Sequence, residues 1–284
     1  MQVHRGWIAL DIDGTITDQK HYVPKEVVAY LTTLHQEGWQ IIFITGRTLS
    51  FASAALASFS FPYFLAIQNG SAILSMPAQE VIEKSYLSSA IVPVLEKAYL
   101  GQSEDFVVYA GFEKGDFCYY RPDRFSKDLL KHLETIKEFS SEPWQALKVF
   151  NFSKEETFPL IKCLGSYETM NAVNHLLKSV EGIAVSMIRD PFEENTYLNL
   201  ITDALATKGN VLKRVMQKKE LFGPVIAAGD DFNDISMLEC ADIRIVMQTA
   251  PEKMLKMGDI IAQPAKDLGI INALVQAIKR SNET

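Results

Sequence analysis

Short apolar runs alternate with amphipathic stretches toward both ends of the chain. Residues 7–11 form an apolar run that ends in carboxylates, the pattern of a buried strand. Pro24 then opens a helix, with Val27, Val28, Leu31 and Leu34 on one face and Gly38 as its stop. Residues 40–44 read as the next strand, a second helix follows to about Ser58, and residues 64–67 form a third strand closed by Asn69-Gly70. Strands that alternate with helices predict a parallel sheet with right-handed crossovers.

From about Pro77 the pattern changes. A helix over residues 88–100 precedes a hairpin whose strands, 106–109 and 117–120, flank the turn Glu113-Lys114-Gly115-Asp116. A helix over 126–138, a strand over 147–152, helical sequence over 154–179 and a strand over 183–188 follow. The earlier rhythm resumes with a strand at 197–201, a helix at 207–218 and strands at 224–228, 243–247 and 260–261. A helix over 266–279 closes the chain. The expected fold class is α/β, a Rossmann-like parallel-sheet core domain from residues 1–76 and 190–284. An α+β cap domain is expected as an insertion over 77–189.

Composition narrows the function. The 284 residues suit about two domains, and 48% apolar with 22% charged residues excludes disorder, collagen or coiled coil as the dominant state. Thirty-five acids against 28 bases leave −7, which disfavours a polyanionic partner and favours small ligands over nucleic acid. Cys118, Cys163 and Cys240 lie far apart and are odd in number, so a disulfide framework is not expected and a reducing, cytoplasmic setting is. No signal peptide is expected at the start, because charge returns at Asp11. Residues 48–79 carry no charge over 32 positions. Pro62, Gln68, Asn69, Gly70 and several serines interrupt them, so no membrane span is expected.

Ligands of an open parallel sheet gather at the carboxyl ends of its strands, and three polar motifs fall there. Asp11 and Asp13, two residues apart in DIDGT, lean to one side of an extended segment. They are either an Asx-turn with two solvated carboxylates or a site for a hard, oxygen-liganded cation such as Mg²⁺. Thr45 and Gly46 of TGR either cap the next helix or hold anionic oxygens at its start, and Arg47 beside them reads as a solvated surface arginine rather than as added charge for those oxygens. In GDDFND, Asp231 or Asn233 can cap a helix, while Asp230 and Asp234 suit a cation. A fourth motif, Thr207-Lys208-Gly209, opens a helix. Lys208 is unfavourable there against the macrodipole and Gly209 is a poor helix former. The pair is therefore either an exposed lysine in a weak first turn, or an ammonium beside a bound anion with close backbone approach.

The order DIDGT, TGR, Thr-Lys-Gly, GDxxND resembles the haloacid dehalogenase-like hydrolases. Asn69-Gly70 after the third strand and the large insertion resemble their Cof-type sugar-phosphatase branch. The resemblance spans the whole chain, and the Arg189–Asn195 stretch departs from it by looking longer than the usual turn. It implies that Asp11 is a nucleophile forming an aspartyl-phosphate and that Asp13 is the general acid, then base. It also implies Mg²⁺ held by Asp11, the Asp13 backbone carbonyl and Asp230 with Asp234, and phosphate held by Thr45, Gly46 and Lys208, with Asn233 contacting the phosphate or orienting Lys208. The expected activity is hydrolysis of small phosphate monoesters, with sugar phosphates the expected substrates in this branch. A hexose phosphomutase or a non-catalytic phosphometabolite-binding protein are the alternatives, and dehalogenation is disfavoured by Asp13. No protein partner is expected. The insertion would act as a lid. Its aromatics Phe106, Tyr109, Phe112, Phe117, Tyr119 and Tyr120 read as core, and Arg121, Arg124 and Arg189 as solvated residues rather than substrate contacts. None of the five histidines sits near a motif.

Overall fold

The computed structural model describes residues 4–138, 140–190, 193 and 195–283. These group into two compact units, one from residues 4–47, 52–84 and 207–283, the other from 48–51 and 85–206. No described helix is long and apolar enough to cross a membrane.

The first unit is built on an eight-stranded sheet in the order Ile260–Ala262, Ile243–Met247, Val225–Gly229, Gly6–Leu10, Trp39–Ile44, Tyr63–Ile67, Ala72–Met76, Glu80–Lys84. Neighbours are parallel from one edge to Tyr63–Ile67, and the last two strands run antiparallel. Strands covered on both faces read as continuous apolar runs, and every residue of Gly6–Leu10, Tyr63–Ile67 and Val225–Gly229 is buried. One face meets helix Lys208–Lys219: Val211, Leu212 and Val215 pack with Trp7, Ala9, Ile42, Ile44 and Val246. The alternate residues Ile8, Leu10, Ile41 and Phe43, which point the other way along their strands, are also buried. Complete burial contributes roughly 1.5–3 kcal/mol per large apolar side chain, which fixes the register. Leu10 therefore lies opposite both Ala228 and Phe43, and Ile44 opposite Ala66.

The second unit holds a sheet in the order Ile183–Arg189, Tyr197–Asp203, Ile161–Gly165, Phe106–Tyr109, Cys118–Tyr120, Gln145–Ala146, antiparallel except for its last pair. Helices Ile91–Ala98 and Tyr167–Leu177 pack against Phe106, Val108, Ile161, Cys163 and Ile201. Helix Lys127–Lys137 packs against Val107, Tyr109, Leu164, Leu198 and Leu200.

Four expectations change. The strand expected at 197–201 in the first sheet pairs instead with Ile161–Gly165 and Ile183–Arg189, because a buried apolar run does not encode which sheet it joins. Glu80–Lys84, expected beyond the core boundary at 76, extends the first sheet as a largely exposed edge strand whose charges protect its open side. By compactness the chain divides after Lys84 and before Thr207, with residues 48–51 grouped in the second unit. Residues 147–152 form no strand: Phe150 and Phe152 stack at 5.7 Å and fill the core without a ladder. Residues 161–165, expected as helix, are a central strand. In the longer-than-usual stretch, Pro191, Phe192 and Glu194 lie outside the described residues.

Arg121 is not solvated. Its Nε and Nη2 donate to the two oxygens of Asp105, both at 2.8 Å, its Nη1 donates to Glu96 at 2.6 Å, and the guanidinium lies 4.3 Å from the Phe150 ring centroid. Arg124 and Arg189 are exposed. Phe106, Tyr109, Phe117 and Tyr120 are buried.

Candidate active site

The register of the parallel strands brings the motifs to one edge of the first sheet. Asp11 follows the central strand directly, and its backbone N–H donates to the Ala228 carbonyl at 3.1 Å. The chain then turns through Gly14, at φ +73°, where an added Cβ would meet Asp230 Oδ2 at 2.2 Å. Only glycine satisfies both the left-handed turn and that approach. A parallel bridge between Asp13 and Thr17 and the Gly14 N–H donating to the Thr17 carbonyl close the loop.

Lys208, at the start of helix Lys208–Lys219, is 1% exposed, so the surface-lysine alternative does not hold. Its Nζ donates to Asp11 Oδ1 and to Asp234 Oδ1, each at 2.5 Å. Gly209 permits this: an added Cβ would lie 2.1 Å from the Ser236 carbonyl oxygen. The second oxygen of Asp234 accepts the backbone N–H groups of Asp230 and Asp231 at 2.9 and 3.1 Å, so Asp234 is fully engaged as an anchor. Asp231 caps the turn after the strand by accepting the Phe232 N–H. Carboxylate oxygens of Asp11, Asp230 and Asp234 lie within 4.8 Å of one another. Asp13 is not among them.

The electrostatics follow from burial. Desolvation drives the Asp11 carboxyl up to about 7 even against the Lys208 ammonium, and Asp234 and Asp13 add their repulsion. Burial raises Asp230 as well, with Asp11 and Asp234 next. For Lys208, burial opposes the charge, but Asp11 and Asp234 outweigh it and hold the ammonium above the ordinary lysine range. Three carboxylates against one ammonium leave a buried excess of negative charge. An all-oxygen donor set without histidine or thiolate fits a hard divalent cation, which removes that excess.

Arg47 departs from expectation. It is 4% exposed, its Nε and Nη2 donate to Asp13 Oδ2 and Oδ1 at 2.9 and 2.6 Å, and its Nη1 donates to the Lys20 carbonyl at 2.8 Å. Thr45 is fully buried, and its hydroxyl accepts the Arg47 N–H at 3.1 Å. Gly46 is exposed beside it. Asn233 donates through Nδ2 to Asn69 Oδ1 at 3.1 Å rather than orienting Lys208. Asn69 is not among the residues the motifs offer for holding phosphate. Its left-handed φ of +59° and the bond from its N–H to the Thr45 carbonyl put it in the site, and the Asn-Gly pair directly after an apolar strand is the signal that marks it.

The haloacid dehalogenase-like hydrolase family matches residues 8–274. The chain is 24% identical over 271 residues to a phosphoglycolate phosphatase of Archaeoglobus fulgidus, covering 94% of each chain. It is 21% identical over 268 residues to a phosphoglycolate phosphatase of Methanothermobacter thermautotrophicus, covering 94% of this chain and 96% of that one. The fold is shared with BT1666 from Bacteroides thetaiotaomicron, a phosphatase of the same superfamily, at a TM-score of 0.75 and 19% identity over 96% of this chain and 95% of that one. It is shared equally with the subclass IIB sugar phosphatase BT4131, at a TM-score of 0.74 and 19% identity over 96% and 98%. The motif order read from the sequence and the match over nearly its whole length place the chain among the haloacid dehalogenase-like hydrolases, in their Cof-type branch.

Proposed function

We propose that the protein is a Mg²⁺-dependent phosphatase that hydrolyses small phosphate monoesters, sugar phosphates above all, through an aspartyl-phosphate on Asp11. The observation that carries this reading is the buried cluster in which Lys208 bridges Asp11 and Asp234 while Asp230 stands alongside. Asp11 Oδ1 is held by Lys208, which aims the carboxylate and leaves Oδ2 to attack phosphorus. An ammonium has three donors. Two go to carboxylates, so one remains for a phosphoryl oxygen.

Mg²⁺ would be held by Asp11, Asp230 and the Asp13 backbone carbonyl, with Asp234 anchoring Asp230. Bound there, it supplies the positive charge that lets a carboxylate approach a phosphate dianion. Thr45, Gly46 and Asn233 add donors around the phosphoryl oxygens. Asp11 displaces the alcohol, Asp13 gives its proton to the departing oxygen, and Asp13 then takes a proton from the water that hydrolyses the acyl-phosphate. Two in-line displacements thus share one set of stabilising groups. The names of the relatives support a phosphate-ester substrate, and the likeness to a subclass IIB sugar phosphatase supports a sugar as the leaving group. Three free cysteines suit a reducing, cytoplasmic compartment. A panel of phosphate monoesters assayed with Mg²⁺ and then with EDTA tests the proposal. Turnover that vanishes on chelation is expected. Failure to hydrolyse any member, or indifference to EDTA, would refute it.

A further inference from the structure

The two large sheets have four edges, and one of them lacks the protection the others carry. Ile260–Ala262 and Gln145–Ala146 are only three and two residues long, while Glu80–Lys84 bears Glu80, Glu83 and Lys84. Shortness and charge keep an edge strand from templating another chain. Ile183–Arg189 has neither. Its seven residues, IAVSMIR, hold one charge, at the last position, and run without proline in unbroken register against Tyr197–Asp203. We infer that this strand pairs with the same strand of a second copy of the chain, antiparallel about a two-fold axis through Ser186, so that the protein is a dimer.

The ladder fixes which groups the edge offers. The Ala204 N–H donates to the Gly182 carbonyl at 3.1 Å and the Asp190 N–H to the Thr196 carbonyl at 2.9 Å, so 182/204 and 190/196 are hydrogen-bonded pairs. Such pairs recur at every second residue. Ala184, Ser186 and Ile188 therefore turn their main-chain groups to Tyr197–Asp203, and Ile183, Val185, Met187 and Arg189 turn theirs outward. Pairing about Ser186 sets Ile183 opposite Arg189 and Val185 opposite Met187. Every outward residue then meets an outward residue of the other copy. The contact uses one surface twice and closes at two chains.

The side chains fit the same register. Ile183, Val185 and Met187 pack against the core under helices Ile91–Ala98 and Tyr167–Leu177, and Ile188 against the core under Lys127–Lys137, yet all four remain half-buried. A second strand covers both faces, with Val185 against Met187 on one and Ala184 against Ile188 on the other. Arg189 is exposed and falls opposite Ile183 of the second copy, in the cross-strand row that continues to Asp203. Glu181, also exposed, lies two residues before Ile183. The cationic end of each strand thus comes to the acidic end of the other, and opposite charges across strands are favourable.

Sedimentation velocity of the full chain over a dilution series, with thiol cross-linking, tests this pairing. The wild type should sediment at twice the 31.9 kDa of one chain and dissociate on dilution. Ser186 faces its own copy in a non-hydrogen-bonded pair, where opposite Cα atoms lie about 4.5 Å apart. Ser186→Lys sets two ammonium groups against each other there, and should leave only monomer with thermal unfolding still cooperative. The same spacing is within disulfide reach, so Ser186→Cys should give a covalent dimer on mild oxidation with diamide. Ala184→Cys faces Ile188 instead and should cross-link ~10-fold more slowly or not at all. Cys118, Cys163 and Cys240 are present throughout, so the wild type is the blank. A wild type that stays monomeric, a heavier assembly, a dimer that survives Ser186→Lys, or cross-linking no faster at 186 than at 184 would each overturn the pairing. Should Ser186→Lys fail to fold, the two cysteine variants still decide. None of these measurements depends on turnover.

Discussion

Gly209→Ala sets two effects of opposite sign against each other. Gly209 lies in the first turn of helix Lys208–Lys219, and alanine in a helix interior is favoured over glycine by about 1 kcal/mol. On propensity alone the variant gains stability. The new methyl, however, would sit 2.1 Å from the Ser236 carbonyl oxygen, 2.6 Å from the Ser236 carbonyl carbon and 3.1 Å from Cys240 Sγ. The obstacle is backbone, so the helix must withdraw by roughly 1 Å to restore van der Waals contact. Overpacking of this kind costs about 1–3 kcal/mol, which offsets the propensity gain of about 1 kcal/mol and leaves a net loss of about 0–2 kcal/mol. The same withdrawal carries Lys208 off Asp11 and Asp234, which it now holds at 2.5 Å each. A misplacement of about 1 Å can cost ~10²-fold in rate. Urea unfolding and kcat/KM on one phosphate ester measure the two consequences. A variant as stable as wild type and fully active would show that the helix does not depend on this approach, and the account of how Lys208 is placed would fail.

Asp11→Asn should abolish turnover while the protein stays folded; retention of wild-type speed would remove Asp11 as nucleophile. Burial holds Asp11 at about 7 in the folded protein against an ordinary 3.8, so the folded state binds the proton more tightly. Without divalent cation, stability should therefore fall as pH rises from about 4 to 7 and level off above. Mg²⁺ should restore it most at the upper end. Thermal unfolding in EDTA and in Mg²⁺ across that window checks this, and a flat profile or a Mg²⁺ effect confined to low pH would contradict it. Arg121→Ala should cost about 3–5 kcal/mol in denaturant unfolding, because it strands the buried Asp105 carboxylate without its partner. A loss below 1 kcal/mol would show the fork to be dispensable.

The sequence carries the central strands plainly because each is buried on both faces and reads as an unbroken apolar run, as at Gly6–Leu10 and Val225–Gly229. It carries the carboxylates of the site because they follow those runs directly, and Gly14 and Gly209 because each permits an approach no other residue allows. Sheet membership is less legible. Tyr197–Asp203 is buried through its middle like a core strand, and only its partners distinguish it. Glu80–Lys84 carries three charges in five residues because it is an edge, which resembles a surface segment. The ion pair of Arg47 with Asp13 spans 34 positions and depends on two strands lying side by side, a fact of topology and not of local pattern. The bond from Asn233 to Asn69 spans 164 positions and is hidden for the same reason.

Charge explains why the site needs each of these placements. Arg47 and Asp13 cancel, so the balance rests on Asp11, Asp230 and Asp234 against Lys208, two negative charges in excess. Two agents can relieve that excess. Protons do so when the raised affinities of Asp11 and Asp230 are met, but a protonated Asp11 is no nucleophile. A divalent cation carries the same two charges and leaves the carboxylate ionised. In the proposed mechanism, the burial that makes the acids costly would thus tie the nucleophilic strength of Asp11 to cation binding. Lys208 cannot substitute, since two of its three donors are already committed to Asp11 and Asp234. A more exposed Asp11 would ionise without help, and would also be solvated by water that an attacking carboxylate must shed.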